Sequence, residues 1–168
     1  MSQIIESPDV IAKRKRLREK AVELSQLLVG MMTWAYDCVS WKRAVNSTKK
    51  YQDIKLTVSQ DLEVVLKLIA ELTPFSGEEA LARNLGNRFK FQFDKTKSEC
   101  DHRVNSVFDG RASTPLDPWI HGKRWDELFA ILEKAYLIKR RFYQGWTDGI
   151  FSNRILRLEA ANYTGFKA

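Results

Sequence analysis

The feature that most constrains this chain is an apolar period of three and four residues that recurs in several separate stretches. Leu62, Val65, Leu66, Ile69 and Leu72 follow it, and so do Leu17, Ala21, Leu24, Leu27, Leu28 and Met31. Such spacing lays an apolar stripe along one face of a helix, and the stripe is buried only if another helix lies beside it. Leu128, Ile131, Leu132, Ala135 and Ile138 predict a further helix from Trp125 to about Gln144, and Cys100, Val104, Val107 and Phe108 predict one over Thr96–Phe108. The expected fold is all-α, a four-helix bundle with a minor short β element, most simply antiparallel. At 168 residues the chain has enough for one core. The expected order is a basic N-terminal helical extension (1–36), a bundle core (37–145) and a C-terminal segment (146–168) with a last helical piece near 151–161.

Turn and cap signals divide these stretches. Ser7-Pro8-Asp9 reads as cap, first-turn proline and acidic first turn of a helix. Asn46-Ser47-Thr48 predicts a break, Thr57 with Gln60 a capping box for the next helix, and Thr73-Pro74 its end. Ser76 with Glu79 predicts a short helix ending at Gly86. Arg88-Phe89-Lys90-Phe91-Gln92-Phe93-Asp94 alternates strictly and predicts a strand with three phenylalanines on one face. Core packing is the commoner use of such a face, and base stacking the rarer one. Two glycines and two prolines between Asp109 and Arg124 predict a long loop over 109–124. Loops of that size in a compact domain are commonly functional.

The chemistry on offer is narrow. A net charge of +7 and a pI near 9.5 suit a polyanionic partner. The charge is concentrated in Lys13–Lys20, where six of eight residues are basic, and in Lys134, Lys139, Arg140 and Arg141. Each group also reads as an ordinary solvated helix face. No run of about 18 apolar residues predicts a membrane span, and the first thirty positions do not resemble a secretory signal, so a soluble, non-secreted protein with no membrane partner is expected. Cys38 and Cys100 form no disulfide framework, and two histidines allow no zinc spacing. In Cys100-Asp101-His102, thiol and imidazole two residues apart on a helix face different ways, which excludes a shared proton. His121 is expected to be exposed and passive. With no phosphate loop, dinucleotide fingerprint or HExxH, no catalytic residue, metal ligand or cofactor is expected, and the chain does not read as an enzyme. Trp34, Trp41, Trp119, Trp125 and Trp146 exceed what one small core requires and suggest lateral contacts between copies.

The loop and its margins carry the binding signal. Arg111 follows the Thr96–Phe108 helix, Lys123 and Arg124 precede the Trp125 helix, and Asp126 falls in that helix's first turn. Antiparallel helices would gather these residues at one tip of the bundle. Guanidinium and ammonium groups there would take phosphates, and a carboxylate would accept a ribose hydroxyl.

This order of elements resembles the coat proteins of rod-shaped plant RNA viruses, the tobacco mosaic virus type that includes tobraviruses, hordeiviruses and pecluviruses. Phe89-Lys90, followed nineteen residues later by Phe108-Asp109-Gly110-Arg111, is similar to that family's strand, helix and Phe-Asp-x-Arg element. Asp126-Glu-Leu-Phe-Ala130-Ile131 is similar to the start of its returning helix, and Val39-Ser40-Trp41-Lys42 to the opening of tobravirus-like members. The resemblance implies a four-helix bundle that stacks into a helical rod around genomic single-stranded RNA, in a virion assembled in the host cytoplasm. It implies that Arg111 touches RNA, that Asp126 is the carboxylate near the nucleotides, and that Asp109 is the acidic member of the Phe-Asp-x-Arg element. Ser113 stands where a second arginine is expected, and the loop's only acid beyond Asp109 is Asp117, so the family's repelling carboxylate pairs do not carry over. A reading from another class is a small helical accessory subunit of a multi-protein, RNA-guided complex. A DNA-binding regulator would need a recognition helix and dimer symmetry, neither of which is evident.

Overall fold

A computed structural model describes residues 7–36, 41–76, 79–108 and 118–138. Among the described residues every regular element is helical: α1 (Pro8–Tyr36), α2 (Trp41–Leu72), a 3₁₀ turn (Thr73–Phe75), a one-turn α3 (Glu79–Ala82), α4 (Leu85–Phe108) and α5 (Pro118–Tyr136). Ser7 caps α1 as expected, its Oγ accepting from the Val10 amide at 3.3 Å. Thr73-Pro74 ends α2 as expected, and the Thr73 hydroxyl donates back to the Ile69 carbonyl at 2.6 Å.

Cross-helix contacts set the directions. Lys13 meets Glu71 and Lys20 meets Asp61, so α1 and α2 run antiparallel. Asp101 of α4 accepts from Tyr51 and Lys55 of α2, while Gly86 lies against Leu66 and Ile69, so α2 and α4 are antiparallel too. Thr96 meets His121 and Phe89 meets Phe129, which reverses the chain once more into α5. The long helices therefore alternate up and down, and α1 ends, α2 begins, α4 ends and α5 begins at one end of the bundle. The helix expected as an N-terminal extension supplies Leu17, Leu24, Leu28, Met31 and Met32 to the core, all fully buried, and its packing against α2 is the most extensive among the described residues.

Five local expectations are corrected. The alternating segment expected as a strand lies inside α4. Phe89 and Phe93 are four residues apart, share the buried face of that helix, and leave Phe91 68% exposed on the other side. The break expected at Asn46-Ser47-Thr48 and the capping box at Thr57 both fall within α2, where the Thr57 hydroxyl bonds the Asp53 carbonyl one turn back. The short helix stops at Ala82, before Gly86: Asn84 takes the left-handed conformation (φ 63°), which asparagine tolerates well, and α4 starts directly after it. Residues 118–124, expected as part of the loop, are the first two turns of α5. It opens at Pro118, whose fixed φ suits a first helical position. The expected helical piece near 151–161 lies outside the described residues.

A charged cluster lies half-buried between α1 and α2. Lys20 Nζ stands 3.2 Å from Glu23 and 3.6 Å from Asp61, and Asp61 is only 6% exposed. Its carboxyl is pushed up from 3.8 to about 6, first by burial and then by Glu23, with Lys20 opposing. The folded chain thus holds a proton that the unfolded chain has released between about pH 4 and pH 6, and stability falls as pH rises through that window. Asp61→Asn is expected to flatten this slope and to stabilise the protein at pH 7 by about 1–3 kcal/mol. Urea unfolding at pH 4.5 and 7 checks it, and an unchanged slope would contradict it. The helical placement of the phenylalanines has its own test. Phe89→Ala should cost about 3–5 kcal/mol and Phe91→Ala less than about 0.5 kcal/mol, whereas equal costs would mean a common buried face.

Candidate nucleic-acid interface

The seam between α4 and α5 begins with three aromatic rings. The Phe89 ring stands edge-on to Trp125 (centroids 5.8 Å apart, 64°) and to Phe129 (5.4 Å, 81°), and all three side chains are fully buried. Aromatic quadrupoles favour these angles. Beside the rings runs a buried polar chain. The Trp125 indole Nε1–H donates to Thr96 Oγ1 at 3.2 Å, and Thr96 Oγ1 lies 3.1 Å from His121 Nδ1. The Gln92 amide nitrogen is 3.2 Å from both Thr96 Oγ1 and His121 Nδ1, while His121 Nε2 reaches Glu99 Oε1 at 3.0 Å. The donor and acceptor roles at Nδ1 follow the imidazole tautomer, and the tautomer with its proton on Nε2 points that proton at Glu99. His121 is only 2% exposed, so the expectation of an exposed, passive histidine is corrected. It ties α5 to α4.

Above this seam, Asn87, Arg88, Phe91, Gln92, Arg124, Glu127 and Leu128 line an open groove of about 350 Å³. Arg88 and Phe91 are three residues apart on one face of α4, and Arg124 comes from α5 opposite. Neither guanidinium has a carboxylate within ion-pair distance among the described residues.

The residues singled out in the sequence are distributed unevenly. Lys123 and Arg124 are exposed on α5, but as its second turn and not before its start. Asp126 is half-buried, eight residues after Pro118, beyond the first turn where a carboxylate complements the helix dipole. At 3.6 residues per turn Arg124 and Asp126 project about 200° apart, so they do not converge on one ligand atom. Asp109 and Arg111 lie outside the described residues, although the helices that bracket them, α4 and α5, are antiparallel neighbours. The basic run of α1 is partly committed: Lys13 pairs with Asp9 at 3.2 Å, Lys20 with Glu23, and the Arg14 guanidinium donates to the Phe75 carbonyl at 2.7 Å. Cys100 is fully buried, and burial, followed by Asp101 and Glu99, pushes its thiol well above the usual range. His102 is exposed on another face, so thiol and imidazole do not meet, as the spacing indicates. Among the described residues no group of three His, Cys, Asp or Glu side chains is placed to hold a metal ion, and no helix is long and apolar enough to cross a membrane.

Sequence reasoning missed Arg88 and Asn87 as site residues, and it weighed Phe91 for base stacking only as one of three phenylalanines on a strand face that favours core packing. The available signal was that Phe89 and Phe93 alone satisfy a helical core face, which leaves the ring between them without a structural task.

Comparison with protein-family models, with curated proteins and with solved structures finds no match.

The seam makes a prediction about stability. Thr96→Val keeps the side-chain shape but removes the hydroxyl between Trp125 and His121, leaving the buried indole N–H without an acceptor, and should cost about 1–3 kcal/mol. Thr96→Ser should recover most of it. Urea melts of the two variants check this, and a valine variant as stable as the parent would contradict the network.

Proposed function

We propose that this chain is a structural, non-catalytic coat protein that polymerises helically around single-stranded RNA, as the resemblance to rod-shaped plant virus coat proteins implies. The observation that carries the reading is the pair α4–α5. Two antiparallel helices flank the Asp109-Gly110-Arg111 segment, and the second presents Lys123 and Arg124 to solvent with no ion-pair partner among the described residues. Arg111, Lys123 and Arg124 would neutralise phosphates, and Asp109 and Asp126 would be the carboxylates nearest the strand. Such contacts hold RNA regardless of its sequence, which packaging of a whole genome requires. One subunit would bind weakly, covering a few nucleotides, and the polymer would supply affinity by multivalency. The setting would be a virion assembled in the host cytoplasm, with RNA and further copies of the chain as partners.

Sedimentation and negative-stain electron microscopy of the purified protein, with and without single-stranded RNA, test this directly. Discs or rods should form, and RNA should lengthen them. Arg111→Ala together with Arg124→Ala should shift assembly to lower salt, reducing the log–log salt slope by about 0.7 for each phosphate left unneutralised. Strictly monomeric protein under all conditions would overturn the proposal. Recovery only in complex with larger, different proteins would favour the accessory-subunit reading.

A further inference from the structure

Of the residues that line the α4–α5 groove, the coat-protein reading uses only Arg124, as a phosphate contact, and gives Arg88 and Phe91 no task. Phe91 has no part in the core: Phe89 and Phe93 fill that face, and the Phe91 ring lies 68% exposed at the groove. An exposed phenylalanine on its own means little, because scattered surface apolar residues are normal. This one is framed. Arg88 stands one turn before it on the same face, Arg124 lines the groove from the opposite helix, and neither has an ion-pair partner among the described residues. Leu128 adds a second apolar surface, and Asn87 and Glu127 bring an amide and a carboxylate. Gln92 is held inward by Thr96 and His121 and forms part of the floor. The volume, about 350 Å³, lies in the range of small-ligand sites.

We propose that this groove is a stacking site for one unpaired nucleotide of single-stranded RNA, its base on the face of Phe91 and its flanking phosphates on Arg88 and Arg124. The inference rests on the RNA reading above and adds Phe91 and Arg88 of α4 to the contact that reading gives Arg124. Every base has a π-face, so the site accepts any sequence, as a genome coat needs. Asn87 faces the base edge, and Glu127 accepts a hydroxyl or an amino proton. Duplex nucleic acid is excluded, because a base stacked between its neighbours inside a duplex offers no free face to the ring. An acidic peptide would engage the two arginines and leave Phe91 without effect, which makes the ring the discriminating residue.

The experiment uses the full chain below its assembly concentration and a short fluorescein-labelled oligouridine, read by anisotropy at several salt concentrations. Phe91→Ala should weaken binding roughly five- to a hundredfold, the range for removing one base–aromatic stack, with the salt slope unchanged. Phe91→Trp should bind as well as the parent or better, and Phe91→Leu, which keeps apolar bulk without a π-face, should resemble the alanine variant. Arg88→Ala and Arg124→Ala should each lower the salt slope by about 0.7. Circular dichroism melts check the fold of each variant. If Phe91→Ala and Phe91→Leu bind like the parent while Arg111→Ala weakens binding, the groove assignment fails and the RNA reading survives. If the parent binds no oligouridine above its assembly concentration either, both fail. Competition by polyglutamate equal to that by unlabelled oligouridine, together with indifference to Phe91, would mark the groove as a site for acidic protein instead and overturn the proposal.

Discussion

The rest of this structure depends on the register between α4 and α5. Apolar burial of Phe89 against Trp125 and Phe129 holds the two helices together, but burial is non-directional and alone would tolerate sliding by a turn. The polar chain from Trp125 through Thr96 to His121 and Glu99 does not, because a shift would strand buried donors and acceptors away from both partner and water. One register satisfies rings and hydrogen bonds together. That register also puts Arg88 and Arg124 on the two walls of a single groove and leaves the antiparallel ends of α4 and α5 bracketing Arg111.

The other half of the bundle shows why net charge is a poor guide to where a polyanion binds. The densest basic run, in α1, is partly consumed by the fold: Lys13, Arg14 and Lys20 reach Asp9, Glu71, Phe75, Glu23 and Asp61. Asp61 is buried beside Glu23 with one lysine between them, an arrangement in which desolvation outweighs attraction. Lys123 and Arg124 of α5, fewer in number, are left facing solvent. Which cations are available follows from what packs opposite each helix, and α1 packs against the acidic stretch of α2.

Periodicity makes the helical class, the apolar stripes of α1, α2 and α5, the Ser7 cap and the Pro74 stop legible in the sequence. It fails where two periods coincide. Three phenylalanines at alternate positions satisfy a strand, yet the outer two also satisfy a helix, and burial against Trp125 and Phe129 decides between them. Ser47, Thr48 and Thr57 carry cap chemistry but fall inside α2, where the Thr57 hydroxyl bonds back to the carbonyl one turn earlier. Asp117-Pro118 reads as loop because of the prolines and glycines around it, although an acidic residue followed by proline is also a helix-start signal. His121 is unreadable, since the groups that bury it lie 25 and 29 residues away on α4. Of the site, Lys123 and Arg124 are legible as exposed cations. The groove partner Arg88 is not, because no local pattern announces which residue a neighbouring helix will bring opposite.

The most direct measurement is a helical reconstruction from cryo-electron micrographs of assemblies formed with polyuridine, at a resolution that shows bases. Nucleotide density is expected against the α4–α5 face, with phosphates near Arg111 and Arg124 and one base over Phe91. Density lying beside α1, remote from the α4–α5 face, or an assembly that holds no nucleotide at all, would contradict the account.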